Sequence, residues 1–159
     1  MFKNIFILSG PTNSGKTSKL LEWCKNRKDV YGILTPKING KRIFQNVNTG
    51  EQFEMEACEN EEKILSVGKY VFSTKSFEQA TFILKEASNK KNGWLIVDEV
   101  GPMELKGEGF STQLKQVLLK KADTLKVIIV VRETLVEEVV NHFCIQNQWR
   151  IFSVPDDVL

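Results

Sequence analysis

The chain has 159 residues, of which 42% are hydrophobic and 26% are charged, and its formal net charge is +2. That length supplies one sizeable core and is too short for two domains of ordinary size, so we expect residues 1–159 to form a single domain. A charge so close to neutral argues against nucleic acid or an anionic membrane as the main partner, and no apolar stretch approaches the roughly 18 residues that span a bilayer.

The first predicted elements are a strand, a glycine-rich loop and a helix. Residues 5–8 are uniformly apolar and predict a strand, and residues 16–26 carry apolar side chains at helical spacing. The loop between them fits the pattern G-x-x-x-x-G-K-[ST] at every fixed position, with this sequence of residues: Gly10, Pro11, Thr12, Asn13, Ser14, Gly15, Lys16 and Thr17. The flanking strand and helix favour phosphate binding over an ordinary glycine-rich turn.

The chemistry of this loop predicts a nucleotide-binding site. Glycines let backbone N–H groups approach a phosphate chain closely, and the positive end of the helix dipole adds to their attraction. We expect Lys16 to reach the β- and γ-phosphates and the Thr17 hydroxyl to be a Mg²⁺ ligand.

An antiparallel β insertion is predicted after the first helix. Residues 30–35 predict a strand that stops at Pro36. Asn39-Gly40 lies between two arms that contain apolar residues and is a strong hairpin signal. A second turn at residues 48–50 then separates this hairpin from a strand-like stretch, residues 52–57.

The second half of the chain alternates strand-like and helix-like segments. Ser76 with Gln79, and Thr134 with Glu137, fit the capping-box pattern that marks the start of a helix. A third helix is expected at residues 110–121. Apolar runs predict strands at residues 69–72, 94–97, 125–131 and 149–154, the last ended by Pro155.

This alternation predicts an α/β fold with a mostly parallel central sheet, right-handed connections and one β-hairpin insertion. In such sheets ligands bind beyond the carboxyl ends of the strands. The Gly10 loop falls at that edge.

A pair of carboxylates, Asp98 and Glu99, directly follows the apolar run at residues 94–97. Taken alone, an acidic pair can simply end a strand in a solvated loop. Beside a phosphate loop, however, we expect Asp98 to hold Mg²⁺, largely through water, because this cation prefers oxygen ligands. Glu99 is the candidate general base for attack on the γ-phosphate.

Two arginines are candidates for offsetting charge in the transition state. Arg42 lies at the exit of the Asn39-Gly40 hairpin, and Arg132 lies at the carboxyl end of a predicted strand, on the edge that carries the phosphate loop. For each of them a surface salt bridge is the alternative. We predict a catalytic set of Lys16, Glu99 and Arg132.

The residues from Asp98 onward resemble a family signature. Residues 98–105 read D-E-V-G-P-M-E-L, which is similar to the D-E-[IV]-G-x-M-E-L pattern of the THEP-type nucleoside-triphosphatases. Residues 32–36 and 40–42, Lys69-Tyr70, and residues 76–78 match in the same order. The resemblance spans Gly10 to about Arg132 and is weak after it.

The resemblance implies a three-layer P-loop NTPase domain with a RecA-like core. It also implies hydrolysis of nucleoside triphosphates, ATP and others, to the diphosphate and phosphate, with Mg²⁺ and broad base tolerance. The chain departs from the family pattern at residues 12–14, where members carry further glycines, and at Ile43-Phe44, where they carry G-F. These departures concern the turnover rate and leave nucleotide binding intact.

Two other functions stay open at this point. A nucleoside or small-molecule kinase is the first, because the phosphate loop and Asp98-Glu99 are also similar to thymidine kinases of the zinc-containing type. That family carries paired zinc-binding cysteines, which this chain lacks. A slow switch or adaptor that binds nucleoside triphosphate and passes its state to a partner is the second.

Cysteine usage and the first residues predict a cytoplasmic protein. Cys24, Cys58 and Cys144 are far apart and form no C-x-x-C pair, which is typical of reduced thiols rather than of a zinc site or a disulfide framework. Residues 1–4 carry one lysine and do not have the pattern of a signal peptide. Protein partners are not indicated by any motif.

Overall fold

The apolar runs of the chain form the strands of a central sheet in the computed structural model, which describes residues 4–58, 61, 64–67 and 70–154. The strands in these ranges are β1 (Ile5–Gly10), β2 (Val30–Leu34), β3 (Lys37–Ile38), β4 (Lys41–Asn46), β5 (Gln52–Glu54), β6 (Ile64–Val67), β7 (Tyr70–Ser73), β8 (Gly93–Val97), β9 (Leu125–Arg132) and β10 (Trp149–Ile151). The helices are α1 (Lys16–Cys24), α2 (Thr74–Ala87), α3 (Pro102–Leu105), α4 (Ser111–Lys120) and α5 (Val136–His142).

The central sheet is mostly parallel. Its strand order is β10-β1-β9-β8-β2-β4-β3, and β5 pairs with β4. The strands from β10 to β2 run parallel, while β4 is antiparallel to β2 and also pairs antiparallel with β3 and β5, which form the β insertion with it. The predicted fold class, a mostly parallel α/β sheet with a β insertion, is therefore confirmed.

Helices cover both faces of the sheet. Side chains alternate sides along each buried strand, so both faces are apolar and each packs against helices. Ile96, Ile128 and Val130 point to one face and pack with Leu20 and Trp23 of α1. Their neighbours in sequence point to the other face and pack with residues of α2, α4 and α5: Leu95, Val97, Val127 and Ile129 against Phe77, Leu114 and Val139. The result is the expected three-layer arrangement.

Both predicted capping boxes are wrong. Helix α2 begins earlier than expected, at Thr74, and its cap is Ser73, whose Oγ accepts a hydrogen bond of 3.1 Å from the Ser76 backbone N–H. Thr134 lies within a 3₁₀ turn, Glu133–Leu135, and α5 has no side-chain cap. Strand β7 runs directly into α2, whereas the 3₁₀ turn separates β9 from α5.

Other differences from the sequence prediction are small. Helix α1 ends at Cys24, β5 ends at Glu54 and β10 ends at Ile151, each short of the predicted limit, while β6 and the four-residue helix α3 were not predicted. Lys69, the first residue of the strand predicted at residues 69–72, and Pro155, which was expected to end the last strand, lie outside the described residues.

Two further observations concern membranes and thiols. In the ranges that the structure describes, every helix is too short or too polar to cross a bilayer. The three cysteines are free, and burial raises the pKa of the Cys24 thiol to about 12, against a smaller opposing effect of Arg27. Cys58 and Cys144 are exposed.

Candidate functional site

The glycine-rich loop turns between β1 and α1 at the carboxyl edge of the sheet. Gly15 has a φ of 84°, a left-handed conformation that glycine adopts without strain, and it directly precedes the first helical residue, Lys16. No side chain caps the N-terminus of α1. The first N–H groups of this helix are therefore left for another acceptor, as an anion-binding loop requires.

Asp98 contacts this loop, although the loop and Asp98 follow strands that are not neighbours in the sheet. It follows β8, which is separated from β1 by β9, and its side chain is fully buried. The Thr17 hydroxyl donates a hydrogen bond of 2.7 Å to Asp98 Oδ2, and the Thr35 backbone N–H donates one of 3.1 Å to the same oxygen. Thr17 and Asp98 are 81 residues apart in the chain, so the predicted convergence of loop and acidic pair is present.

The environment of the other Asp98 oxygen shows whether the site suits a metal ion. Asp98 Oδ1 is buried and has no hydrogen-bond partner among the described residues. Burial raises the pKa of Asp98, while the hydrogen bonds from Thr17 and Thr35 oppose the rise. A buried carboxylate oxygen without a partner, next to a hydroxyl, is an oxygen donor set of the kind that Mg²⁺ takes.

A cavity of about 340 Å³ opens beside the loop. Its lining comes from the loop, from α1, from the segment after β2, from the β3–β4 hairpin and from one residue of the acidic pair: Asn13, Ser14, Gly15, Lys16, Thr17, Ser18, Leu21, Thr35, Pro36, Lys37, Arg42 and Glu99. Gly10, Pro11 and Thr12 are outside this lining; Gly10 is partly buried, and Pro11 and Thr12 are exposed. The loop, Thr17 and the base candidate therefore share one cavity, and the fully buried Asp98 is joined to it through the Thr17 hydroxyl.

Three cations line this cavity, and each is bonded to neutral oxygens. Lys16 Nζ donates to the carbonyls of Gly10 (3.2 Å) and Pro11 (2.8 Å). Lys37 Nζ donates to Asn13 Oδ1 at 3.1 Å. Arg42 Nη1 lies 3.3 Å from the Thr35 carbonyl oxygen and 3.4 Å from its hydroxyl oxygen, which are long hydrogen bonds.

None of these three cations has an ion pair with a carboxylate in the described part of the chain. Lys16 is also 91% buried, so water replaces the missing counter-ion poorly. The cavity therefore carries an excess of positive charge, and an anion with several charges would offset it.

Glu99 and Arg132 form an ion pair at the rim of this cavity. Arg132 Nη2 lies 3.6 Å from Glu99 Oε1, and both side chains are partly exposed. Glu99 lines the cavity and Arg132 does not. Arg132 sits at the end of β9, in register with Gly10 of β1, so it lies at the predicted edge of the sheet and contacts the base candidate.

Three contributors to the site were not identified from the sequence. The Thr35 backbone N–H is one, because no motif marks a main-chain donor to a carboxylate 63 residues away. Lys37 is another, although the hairpin signal places it opposite Arg42. Glu104 is the third, because its place in the D-E-V-G-P-M-E-L signature does not reveal what its carboxylate contacts.

Glu104 holds the segment that follows the acidic pair. Its Oε1 accepts a hydrogen bond from the Gly101 backbone N–H (2.9 Å), and its Oε2 accepts one from the Phe110 backbone N–H (3.0 Å). Any side chain at Gly109 would collide with the Glu104 carboxylate. Burial raises the pKa of Glu104 to about 7, although both backbone hydrogen bonds oppose the rise.

This raised pKa predicts a pH-dependent contribution of Glu104 to stability. Glu104 binds its proton more tightly in the folded than in the unfolded protein, where its pKa is near 4.5, so the free energy of unfolding should fall as pH rises from about 4.5 to about 7. The fall attributable to Glu104 is about 3 kcal/mol. Urea unfolding of the protein and of Glu104→Gln at about pH 5 and about pH 8 measures it. Equal pH dependence in both proteins would contradict the prediction.

Comparison with known proteins gives several matches. A family model described as NTPase matches residues 5–157. The nucleoside-triphosphatase THEP1 of Pyrobaculum islandicum is 36% identical over 121 residues, which cover 70% of this chain and 66% of that protein. The protein of the same name from Saccharolobus solfataricus is 36% identical over 110 residues, which cover 64% and 62%. The chain thus covers slightly less than two thirds of either relative.

Two solved structures share the fold. The crystal structure of THEP1 from the hyperthermophile Aquifex aeolicus superposes with a TM-score of 0.70 at 20% identity, covering 96% of this chain and 91% of that one. The solution structure of a human cancer-related nucleoside triphosphatase gives 0.67 at 22% identity, covering 97% and 90%. At this identity the two structures support the fold assignment alone.

Proposed function

Since this chain belongs to the THEP1-type nucleoside-triphosphatase family, we propose that it hydrolyses nucleoside triphosphates to the diphosphate and phosphate in a Mg²⁺-dependent reaction. The observation that carries the proposal is the 2.7 Å hydrogen bond from Thr17 to Asp98. It joins the glycine-rich loop, which lines the cavity, to a buried carboxylate, and this is the combination that a metal-bound triphosphate needs.

The phosphate loop binds the triphosphate in this proposal. Backbone N–H groups of residues 12–17 surround the phosphates, and Lys16 leaves the carbonyls of Gly10 and Pro11 to contact the β- and γ-phosphates. Thr17 and Asp98 would hold Mg²⁺, which, when bound, neutralises charge on the phosphate oxygens.

Glu99 acts as the general base. Its carboxylate accepts a proton from a water molecule as the water oxygen forms a bond to the γ-phosphorus. The bond from that phosphorus to the β–γ bridging oxygen breaks, and the nucleoside diphosphate leaves with the electron pair. Arg132, 3.6 Å from Glu99 Oε1, contributes by holding the base at the rim of the cavity.

We further propose broad base tolerance and a cytoplasmic location, with ATP and other nucleoside triphosphates as the substrates. Glu99 is the one carboxylate among the described lining residues. A guanine-selective site would instead read the base with an aspartate, and residues 89–92 (N-K-K-N) lack it.

Phosphate release from the purified protein tests this function. With millimolar Mg²⁺ we expect release from ATP, GTP, CTP and UTP, with kcat/KM values within about tenfold of one another, and loss of release in excess EDTA. The same assay with added nucleosides detects a kinase, because phosphate would then appear on the nucleoside. Transfer to a nucleoside, or tight nucleotide binding without turnover, would refute the proposed hydrolase.

A further inference from the structure

The β3–β4 hairpin brings two cations to the mouth of the cavity. Asn39 and Gly40, with φ values of 53° and 80°, turn the chain between the two strands. Lys37 and Arg42 are direct partners in the register of this hairpin, so their side chains lie on the same face. Both line the cavity that contains the phosphate loop.

Two like charges directly opposite each other destabilise a hairpin. The described residues offer neither cation a carboxylate within ion-pair distance: Lys37 is bonded to Asn13 and Arg42 to Thr35. The neighbouring Lys41, by contrast, pairs with Glu56 at 3.7 Å and does not line the cavity. The arrangement of Lys37 and Arg42 therefore suits an anion bound between the hairpin and the phosphate loop.

Arg42 is hydrogen-bonded close to the candidate metal site. The residue that accepts its hydrogen bonds, Thr35, donates its own backbone N–H to Asp98. The guanidinium is thus one residue removed from the candidate metal ligand, and it lines the same cavity as Glu99. In a triphosphate held by Lys16 and Thr17, the γ-phosphate lies at this end.

We propose that Arg42 is a catalytic residue, which contacts the γ-phosphoryl oxygens and offsets their charge in the transition state. The inference rests on the proposed function and adds to it an arginine supplied by the same chain, so that no partner protein is needed to complete the site. Arg132, paired with Glu99 outside the cavity lining, is a positioning residue in this scheme.

Arg42→Ala, Arg42→Lys and the control Lys41→Ala test this assignment. For Arg42→Ala we expect kcat with Mg·ATP to fall by about 10²- to 10³-fold while KM changes by less than about threefold, because the contact forms chiefly in the transition state. Arg42→Lys should recover little, since a lysine cannot place two donors on the phosphoryl group. Lys41→Ala should match the unchanged protein.

Nucleotide binding separates catalysis from a structural effect. We expect Arg42→Ala to bind ADP with unchanged affinity and to lose the ADP·aluminium fluoride complex, which mimics the transferring phosphoryl group. Equal kcat in Arg42→Ala and Lys41→Ala, or an equal loss of ADP and aluminium fluoride binding, would overturn the inference and leave the proposed function standing. Absence of turnover in the unchanged protein would refute the proposed function, and this inference with it.

Discussion

Glu99→Gln is expected to lower kcat for phosphate release by about 10²- to 10⁴-fold, which is the usual contribution of a positioned general base. Glutamine has nearly the shape of glutamate and keeps an oxygen that can face Arg132, whose Nη2 lies 3.6 Å from Glu99 Oε1. It cannot accept a proton from the attacking water. The variant should therefore bind Mg·nucleotide about as tightly as the unchanged protein.

Steady-state phosphate release and calorimetric titration with a non-hydrolysable ATP analogue measure the two halves of this prediction. Glu108→Gln is the matched control, because Glu108 is exposed, is outside the cavity lining and uses only its backbone in hydrogen bonds. Turnover of Glu99→Gln near the parent level would show that another group activates the water. Loss of analogue binding would instead assign Glu99 to the binding of the nucleotide.

Lys16→Ala is expected to lower kcat/KM for every nucleoside triphosphate by about 10²- to 10³-fold, the effect of removing one preorganised donor from an anionic transition state. Lys16 is 91% buried at the floor of the cavity and is bonded only to neutral carbonyls of the loop in the described part of the chain. Its charge is therefore available to a phosphate chain, and alanine supplies no replacement.

Lys19→Ala, one turn further along α1, is the control for charge on this helix, because Lys19 is exposed and outside the cavity lining. Thermal melting shows whether loss of the two carbonyl contacts also loosens the loop. If Lys16→Ala hydrolysed ATP as the control does, the phosphate-loop assignment would have to be abandoned.

The sequence predicted the fold well where the signal is local. The apolar runs of β1, β8 and β9 are buried on both faces, so their pattern is continuous and hard to mistake. The two predicted capping boxes failed because Ser, Thr, Glu and Gln also occur inside helices and turns, as Ser76 does in α2 and Thr134 does in the 3₁₀ turn before α5. Helix α3 and strand β6 are too short to leave a periodic signal.

For the candidate site too, the sequence predicted the features that depend on local signals and not the contacts between distant segments. By itself, the sequence determined the phosphate loop, the position of Asp98 and Glu99 after a buried strand, and their common edge of a parallel sheet, because each depends on neighbours in the chain or on a general rule of topology. Only the tertiary structure decided which groups meet: Thr35 with Asp98, Arg132 with Glu99, and Arg42 with the cavity. Those contacts depend on the order of the strands in the sheet and on the direction of each side chain. Both are set only when segments far apart in the chain pack together.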